Sequence, residues 1–323
     1  MTRTAPDTTR AYTARSADSF VATAGNRFTD AVASRRRAPG GRTRNEPGRL
    51  SRLLGSIRRH PGTLLAVFWL LLVLISTVAP GLFTGQDPID GVPADKLTGP
   101  SPAHWFGTDQ LGRDLFTRVV YGSALTLQAA LIAVGIGLLI GSVLGLLAGF
   151  VGRWVDDVIM RISDVLLSIP SLLLSLALIT VLGFGTVNVA IAVGLGSVAA
   201  VARIMRSEVI RVRNAVYVEA AVAAGNRWTR VLFRHVLPNS VGPVVVLAAL
   251  EFGTAILAIS ALSFLGYGAQ PPAPEWGSLV STGRNFLTTA WWLTTLPGVV
   301  IALTVLSANA ISRALDSDER RSR

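Results

Sequence analysis

The 323-residue sequence contains no cysteine and a single lysine, Lys96. The absence of cysteine excludes disulfide bonds, thiolate metal sites and a cysteine nucleophile. A phosphate-binding P-loop requires a lysine between a glycine and a serine or threonine. Lys96 stands instead in the stretch PADKLTGP, so the chain contains no P-loop. Any ATP-driven activity of the chain must therefore depend on another polypeptide.

Charged residues are also scarce. They make up 15% of the sequence, whereas hydrophobic residues make up 50%, and soluble domains carry about 25% charged residues. The mean hydropathy is +0.51. The apolar residues are concentrated in runs close to the roughly 20 residues that a helix needs to cross a bilayer, and these runs lack the alternation of a membrane strand. The sequence therefore predicts an all-α integral membrane protein.

Six apolar runs are predicted to be membrane-spanning helices. They lie at residues 63–83, 125–150, 165–182, 187–202, 241–262 and 291–310. The first run lies too far from the N-terminus for a signal peptide, and Pro170 is predicted to kink the third helix. Residues 1–48 are predicted to form a disordered, basic cytoplasmic tail. Residues 49–315 form the predicted membrane domain, and residues 316–323 form a short cytoplasmic tail.

The net charge of +11 is distributed unevenly along the chain. If both termini are cytoplasmic, 26 of the 30 basic residues lie on the cytoplasmic side, and only Lys96, Arg113, Arg118 and Arg284 lie outside. Basic residues favour the cytoplasmic ends of membrane helices. The charge therefore indicates a multi-pass protein of the plasma (inner) membrane with both termini in the cytoplasm. It also indicates attraction to the anionic lipid bilayer rather than to nucleic acid.

Four glycines recur every four residues in the second run: Gly137, Gly141, Gly145 and Gly149. On a helix they form a smooth stripe that another helix can approach closely. Packing within the chain and packing against a partner subunit both fit this stripe, and we favour packing within the chain.

The connection between the fourth and fifth runs, residues 203–238, is polar and has a helical pattern. It contains the stretch NAVYVEAAVAAGNRWTRVLFRHVLPN. Asn214 and Asn226 are predicted to cap two short helices, and Gly225 is predicted to end the first helix in a left-handed conformation. Pro238 is predicted to mark the entry to the fifth span. Two spans need only a handful of connecting residues, so this hairpin indicates a docking surface.

Within this hairpin, EAAVAAG followed by nine residues and HVLP resembles the EAA loop of ABC-importer permeases. In that family the loop's helix rests in a cleft of the cytoplasmic ATPase and transmits its movement. His235 stands where the general motif has isoleucine, as in the peptide and nickel branch. The residues that match the loop are Glu219, Ala220, Ala221, Gly225, His235, Leu237 and Pro238.

Three other stretches are similar to C-type dipeptide and oligopeptide permeases. They are GTDQLGRDLFTRVVYGSALTL, VDDVIMRISDVLLSIPSLLL and LSFLGYGAQPPAPEWGSLV. The resemblance covers roughly residues 60–315. The ending ANAISRALD lacks the family's usual Gly-Asp step, so no role is placed there.

The resemblance implies a type I importer permease fold with six membrane helices and no cofactor or enzyme site of its own. It implies four partners: a homologous B-type permease, a cytoplasmic ATPase that binds ATP and Mg²⁺, an extracytoplasmic substrate-binding protein, and a dipeptide or oligopeptide substrate. Nickel import by the same family is the near alternative. An ion-driven secondary transporter is less favoured, because the sequence shows neither inverted repeats nor several intramembrane charges.

Glu251 is the conspicuous charge within the predicted fifth span, where an unpaired carboxylate costs a few kcal/mol. It is predicted either to line the translocation pathway and meet a cationic ligand group, or to be a protonated or paired structural residue. His104, Asp109 and Asp114 admit an enzymatic or metal-binding interpretation. We favour a structural role instead, with Thr108 and Asp109 as helix caps.

Overall fold

The computed structural model describes the backbone of residues 61–322 and the side chains of residues 62–314. The predicted tail at residues 1–48 lies outside the described residues. Within the described part, the chain forms helices joined by turns and short connections, without a β-strand. This confirms the all-α prediction.

Ten α-helices follow one another within residues 61–322. They are α1 (Pro61–Val78), α2 (Leu115–Val151), α3 (Arg153–Ser168), α4 (Ser171–Leu182), α5 (Thr186–Arg213), α6 (Val216–Ala223), α7 (Trp228–Val231), α8 (Leu237–Phe264), α9 (Trp276–Gly283) and α10 (Trp292–Ser322). A π-helical turn, Leu232–Val236, joins α7 and α8 into one helix from Trp228 to Phe264. Helix α10 continues beyond residue 315, the predicted end of the membrane domain.

Four helices in the described part are long and apolar enough to cross a membrane: α2, α5, the joined α7–α8 helix, and α10 over Trp292–Ala314. The bent pair α3–α4 makes a fifth if it counts as one span. The first predicted span corresponds to α1, a shorter apolar helix. Its 18 residues extend about 27 Å at 1.5 Å per residue, slightly less than the roughly 30 Å thickness of the hydrocarbon core.

Several predicted helix ends are wrong, and local chemistry explains the two clearest cases. Helix α1 stops at Val78 because Pro80 opens a separate 3-10 turn. Helix α2 begins ten residues before the predicted start, because the Asp114 side chain accepts a hydrogen bond from the Thr117 backbone N–H and caps the helix. The fourth predicted span is also longer than expected, since α5 continues to Arg213.

The third predicted span is not a single kinked helix. It breaks between α3 and α4, whose axes meet at 96°. Pro170 carries no N–H and drives the residue before it out of the helical region, and Ile169 is extended, with φ −93° and ψ 129°. Helix α3 is held beside α5 by two ion pairs, Asp156 with Arg206 and Asp164 with Arg203.

The glycine stripe of α2 packs against α5, which confirms the prediction of packing within the chain. A Cβ atom at Gly141 would lie 2.6 Å from the Cβ of Val201, and one at Gly145 would lie 2.4 Å from the carbonyl oxygen of Ala202. Real Cβ atoms do not approach other heavy atoms so closely, so only glycine permits this helix separation.

Buried side chains of the described residues form two clusters. The larger lies among α1, α2, α4, α5 and α8–α10 and includes Ile256, Ile259 and Trp276. The smaller joins the end of α5 to α6, α7 and α8, and it includes Val209 and Val218. The smaller cluster lies at the predicted cytoplasmic end of the bundle and fixes the position of α6.

Candidate functional site

The EAA loop (residues 219–238) begins inside the short helix α6. The backbone before α6 turns at Ala215, whose side chain makes no cap, and Asn214 closes the end of α5 instead. The prediction that Asn214 caps the first hairpin helix is therefore wrong. The two-residue turn between α5 and α6 leaves α6 as a separate element beside the smaller core cluster.

Gly225 ends α6 with φ +79°, which confirms the predicted left-handed conformation. Its Cβ position faces open space, so the requirement for glycine comes from the backbone rather than from a close neighbour. The prediction that Asn226 caps the next helix is wrong, since the N-cap of α7 is Arg227. Its side-chain amide donates to the carbonyl oxygen of Ala221 at 2.9 Å and closes the C-terminus of α6.

One residue anchors α6, and most of the others face outward. Val218 is 2% exposed within the smaller core cluster. Glu219 and Ala220 are exposed and Ala221 is half-buried. Val222 is 57% exposed. Helix α6 thus presents a carboxylate and small apolar side chains on a face that the described part of the chain does not cover.

The second half of the EAA loop does not form a separate helix, because it is the beginning of the fifth span. The backbone N–H of Leu237 donates to the carbonyl oxygen of Leu232, five residues earlier, which defines the π-turn Leu232–Val236. Pro238 lies in the first turn of α8, where its missing N–H is tolerated. Helix α8 begins at Leu237, next to Pro238, as predicted for the entry to the fifth span, and what is wrong is the prediction of a second hairpin helix separate from this span. His235 and Leu237 are half-buried, and Pro238 is exposed.

A groove of about 590 Å³ runs between α6 and the neighbouring helix ends. The rings of Phe150, at the end of α2, and Trp228, at the start of α7, lie 6.4 Å apart along it. Glu219 and Arg213 line the same groove. Arg213 donates to the carbonyl oxygen of Phe150 at 2.8 Å, which ties the end of α5 to the end of α2.

Glu251 lies on α8 and lines a cavity of about 330 Å³ inside the bundle. The only hydrogen bond described for its carboxylate comes from the Thr254 hydroxyl on the same helix, at 3.5 Å. The hydroxyl-bearing side chains of α4 and α5 that line the same cavity are Ser171, Ser175 and Ser197. Glu251 is therefore one of a few polar residues in a mostly apolar cavity that is bordered by α2, α3, α4, α5 and α8.

The three residues considered for an enzymatic site, His104, Asp109 and Asp114, do not form one cluster. The Nδ1 atom of His104 lies 2.9 Å from the Oδ2 atom of Asp114. Asp109 instead accepts a hydrogen bond from the side chain of Arg113 at 2.7 Å, and Arg118 lies 3.7 Å from it. Asp109 is also not a helix cap, since α2 begins at Leu115. Thr108 likewise belongs to the connection before α2, where its N–H donates to the carbonyl oxygen of Thr98.

Glu275 is a buried carboxylate that the sequence reasoning missed. It caps α9 by accepting from the N–H groups of Gly277 and Ser278, and it also accepts from the Thr126 hydroxyl of α2 at 3.3 Å. Burial raises the pKa of this carboxyl, and the backbone hydrogen bonds oppose that shift. The signal in the sequence is an acidic residue directly before an apolar helical stretch. Through its hydrogen bond with Thr126, Glu275 positions α9 against α2.

Comparison with known proteins places the chain in a family. Residues 141–321 match the family model of the binding-protein-dependent transport system inner membrane component. The dipeptide transport system permease protein DppC of Alkalihalophilus pseudofirmus is 46% identical over 75% of this chain and 80% of that protein. The di/tripeptide transport system permease protein DppC of Pseudomonas aeruginosa is 38% identical over 83% of this chain and 91% of that protein.

One more relative agrees with this placement, and one solved structure has a similar fold. The glutathione transport system permease protein GsiD of Pectobacterium atrosepticum is 41% identical over 80% of this chain and 86% of that protein. The crystal structure of an amino acid ABC transporter with histidines matches the fold with a TM-score of 0.50 at 18% identity, over 64% of this chain and 94% of that chain. The chain belongs to the binding-protein-dependent transport system inner membrane component family and is a membrane permease subunit of an ABC importer.

Proposed function

We propose that this permease imports short peptides as one half of a translocation pathway completed by a homologous permease subunit. Relatives named for dipeptide, di/tripeptide and glutathione transport support this substrate class, because all three names denote small peptides. An extracytoplasmic binding protein delivers the peptide, and a cytoplasmic ATPase supplies the energy. ATP binding opens the bundle outward through the EAA loop, and hydrolysis resets it.

The observation that carries the coupling role is the exposure of α6. Val218 anchors this helix to the smaller core cluster, while Glu219, Ala220 and Val222 face away from the chain. The second half of the same loop, from Trp228 onward, continues without a break into α8, which carries Glu251. A displacement of the loop by the ATPase would therefore move a helix that borders the internal cavity.

Charge reversal at Glu219 tests the coupling role. Glu219 is exposed, so Glu219→Lys should leave the thermal unfolding temperature of the purified permease unchanged and weaken docking of the ATPase. Glu219→Gln, which keeps the shape and removes the charge, is the matched control and should have a smaller effect. The measurement is ATP hydrolysis by the reconstituted complex upon addition of substrate-loaded binding protein. Normal stimulation with Glu219→Lys would refute the coupling role.

Glu251 is proposed to face the peptide's ammonium group during its passage through the cavity. Glu251→Gln keeps the size of the side chain, so it should lower dipeptide uptake in reconstituted vesicles without changing subunit assembly. Thr254→Val removes only the neighbouring hydroxyl and should have a smaller effect. Wild-type uptake by a fully assembled Glu251→Gln complex would show that the residue is structural.

The proposed orientation places both termini in the cytoplasm and Lys96 outside, as the distribution of basic residues predicts. Because the chain has no cysteine, single cysteines at Ser19 and at the exposed Lys96 can be labelled selectively. An impermeant thiol reagent added to intact cells should label the Lys96→Cys variant alone. Labelling of Ser19→Cys from outside would reverse the orientation.

A further inference from the structure

Helix α3 takes almost no part in the hydrophobic core. Of its 16 residues, Ser163 is the only one that is buried, and its hydroxyl donates to the carbonyl oxygen of Ile159 within the same helix. Neither core cluster includes a residue of α3. Three of its apolar side chains, Trp154, Ile162 and Val165, are instead more than half exposed. Burial of apolar surface within this chain therefore contributes little to the position of α3.

Two ion pairs connect α3 to α5. Arg206 donates to both carboxylate oxygens of Asp156, near the start of α3. Arg203 pairs with Asp164, in the last two turns of α3. Both side chains of this second pair are more than half exposed, and exposed ion pairs contribute little to stability. We call these four residues the α3 latch.

The α3 latch lies at one end of the cavity that contains Glu251. On α5, Ala200 lines this cavity, and Arg203 follows one turn later toward the EAA loop, a rise of about 4.5 Å. On α3, Leu167 lines the cavity one turn after Asp164. The pair between Asp164 and Arg203 therefore joins the two helices at the end of the cavity that is nearest the EAA loop.

A hinge follows the latch. At the 96° break between α3 and α4, Ile169 is extended and Pro170 has no N–H to continue the helix. Beyond the break, α4 is anchored in the larger core cluster by Ile179, which is 2% exposed. Rotation of α3 about the break would therefore move Leu167 away from the cavity while α4 kept its place.

We propose that the α3 latch closes the cavity toward the EAA loop and that its ion pairs break when a peptide leaves. This inference rests on the proposed function, because it takes the cavity as part of the import pathway. Weak ion pairs suit the role, since the latch must open in every transport cycle. Movement of the EAA loop reaches the latch through α5, which carries Arg203 and Arg206 and ends beside α6.

Chemical labelling of the cavity tests the proposal, because the chain has no cysteine of its own. Ser175→Cys places one thiol at a cavity-lining position that is 3% exposed. An impermeant maleimide is added to inverted membrane vesicles that contain the complete transporter, so it reaches the cavity only from the cytoplasmic side. Adding Arg203→Gln removes one ion pair of the latch. It should raise the labelling rate by roughly two- to fivefold, the usual effect of an exposed ion pair on an equilibrium.

Further variants separate the latch from a general loss of charge. Arg211→Gln is the matched control, since it removes an arginine of the same helix from an ion pair with Glu208 that lies within α5. Labelling should then stay at the rate of Ser175→Cys alone. Asp164→Arg should raise labelling, and Asp164→Arg with Arg203→Asp should restore the starting rate, because the exchanged charges attract again. No increase with Arg203→Gln, an equal increase with Arg211→Gln, or no recovery in the exchanged pair would overturn the proposal.

A reversible cross-link tests whether α3 must move. In proteoliposomes, a bifunctional methanethiosulfonate reagent joins the thiols of Asp164→Cys and Arg203→Cys, and a reducing agent releases them. Cross-linking should stop dipeptide uptake, and reduction should restore it. Uptake by the cross-linked protein at the unlinked rate would contradict the proposal. Failure of the proposed function gives a different result: even the wild type takes up no dipeptide, while the labelling differences between the variants persist.

Discussion

The contact between α2 and α5 and the contact between α6 and the bundle are built in opposite ways. Along the first, a stripe of glycines brings two long helices so close that no side chain fits between them. In the second, a single buried valine, Val218, connects an eight-residue helix whose other residues are exposed or half-buried. The contact between α2 and α5 therefore tolerates almost no added side-chain volume. The contact between α6 and the bundle depends mainly on the burial of Val218.

This difference follows from the roles of the two regions. Close helix packing within lipid compensates for the weak hydrophobic drive between membrane helices, so the contact between α2 and α5 maintains the bundle. A helix that docks into another subunit must instead leave its own face uncovered. Substitutions in the two regions should therefore separate stability from coupling.

The largest effect on stability is expected at Gly145, where a Cβ atom would lie 2.4 Å from the carbonyl oxygen of Ala202. Gly145→Ala should destabilise the permease by about 1–3 kcal/mol, because the backbone must move apart to accept a methyl group. Gly135 lies on the same helix with no atom within 4 Å of its Cβ position. Gly135→Ala should be neutral or slightly stabilising, by up to about 1 kcal/mol.

Thermal unfolding in detergent checks this pair of variants. The two substitutions add the same atom to the same helix, so helix propensity cancels between them. If Gly145→Ala unfolded at the same temperature as Gly135→Ala, the close contact between α2 and α5 would not contribute to stability.

The next effect is expected at Val218, the anchor of α6. Val218→Ala removes two buried methyl groups, at about 0.8 kcal/mol each, which should loosen α6 by roughly 1.5 kcal/mol without unfolding the bundle. Val222→Ala makes the same change at a residue that is 57% exposed, and its local stability should hardly change. Hydrogen exchange of the α6 backbone measures the difference, and equal protection in both variants would rule out Val218 as the anchor.

A smaller effect on stability, but a clear effect on coupling, is expected at Gly225. Its φ of +79° costs a residue with a side chain roughly 1 kcal/mol, and a β-branched residue more. Gly225→Val should therefore lower transport while the bundle still unfolds at the wild-type temperature. Gly225→Asn should retain more transport, because asparagine tolerates the left-handed region. Comparable transport by the two variants would show that this backbone conformation is unimportant.

The sequence predicted the features whose cause is local or periodic. Apolar runs predicted helices in lipid, the four-residue glycine repeat predicted close packing, and the position of Gly225 predicted its left-handed turn. Features that depend on a tertiary partner were missed. Pro170 was assigned a kink, but the 96° break also places α3 against the arginines of α5. Glu275 has a capping role that depends in part on Thr126, about 150 residues away.

The two asparagines of the EAA region show the same limit at the scale of one hydrogen bond. Asparagine is a favoured N-cap residue, so the sequence predicts the same helix-capping role for both. In the structure, Asn226 donates to the carbonyl oxygen of Ala221 at 2.9 Å, while no side-chain hydrogen bond of Asn214 is described. The side chain of Asn226 folds back onto the end of α6, the helix that it follows. At the end of α5 it is the backbone N–H of Asn214 that makes the closing hydrogen bonds.

Replacement of each asparagine by alanine is therefore the prediction with the smallest expected change in stability. Asn226→Ala should weaken the end of α6 by about 1 kcal/mol, the typical net value of one hydrogen bond, and leave the α2–α5 contact unchanged. Asn214→Ala should change local stability by less than about 0.5 kcal/mol, as exposed substitutions usually do. Hydrogen exchange at Gly225 and Asn226, whose N–H groups bond to the carbonyl oxygens of Val222 and Ala221, reads the effect directly. If Asn214→Ala had the larger effect, Asn214 would be a cap, as the sequence predicted, and the observed closure of α6 by Asn226 would contribute little.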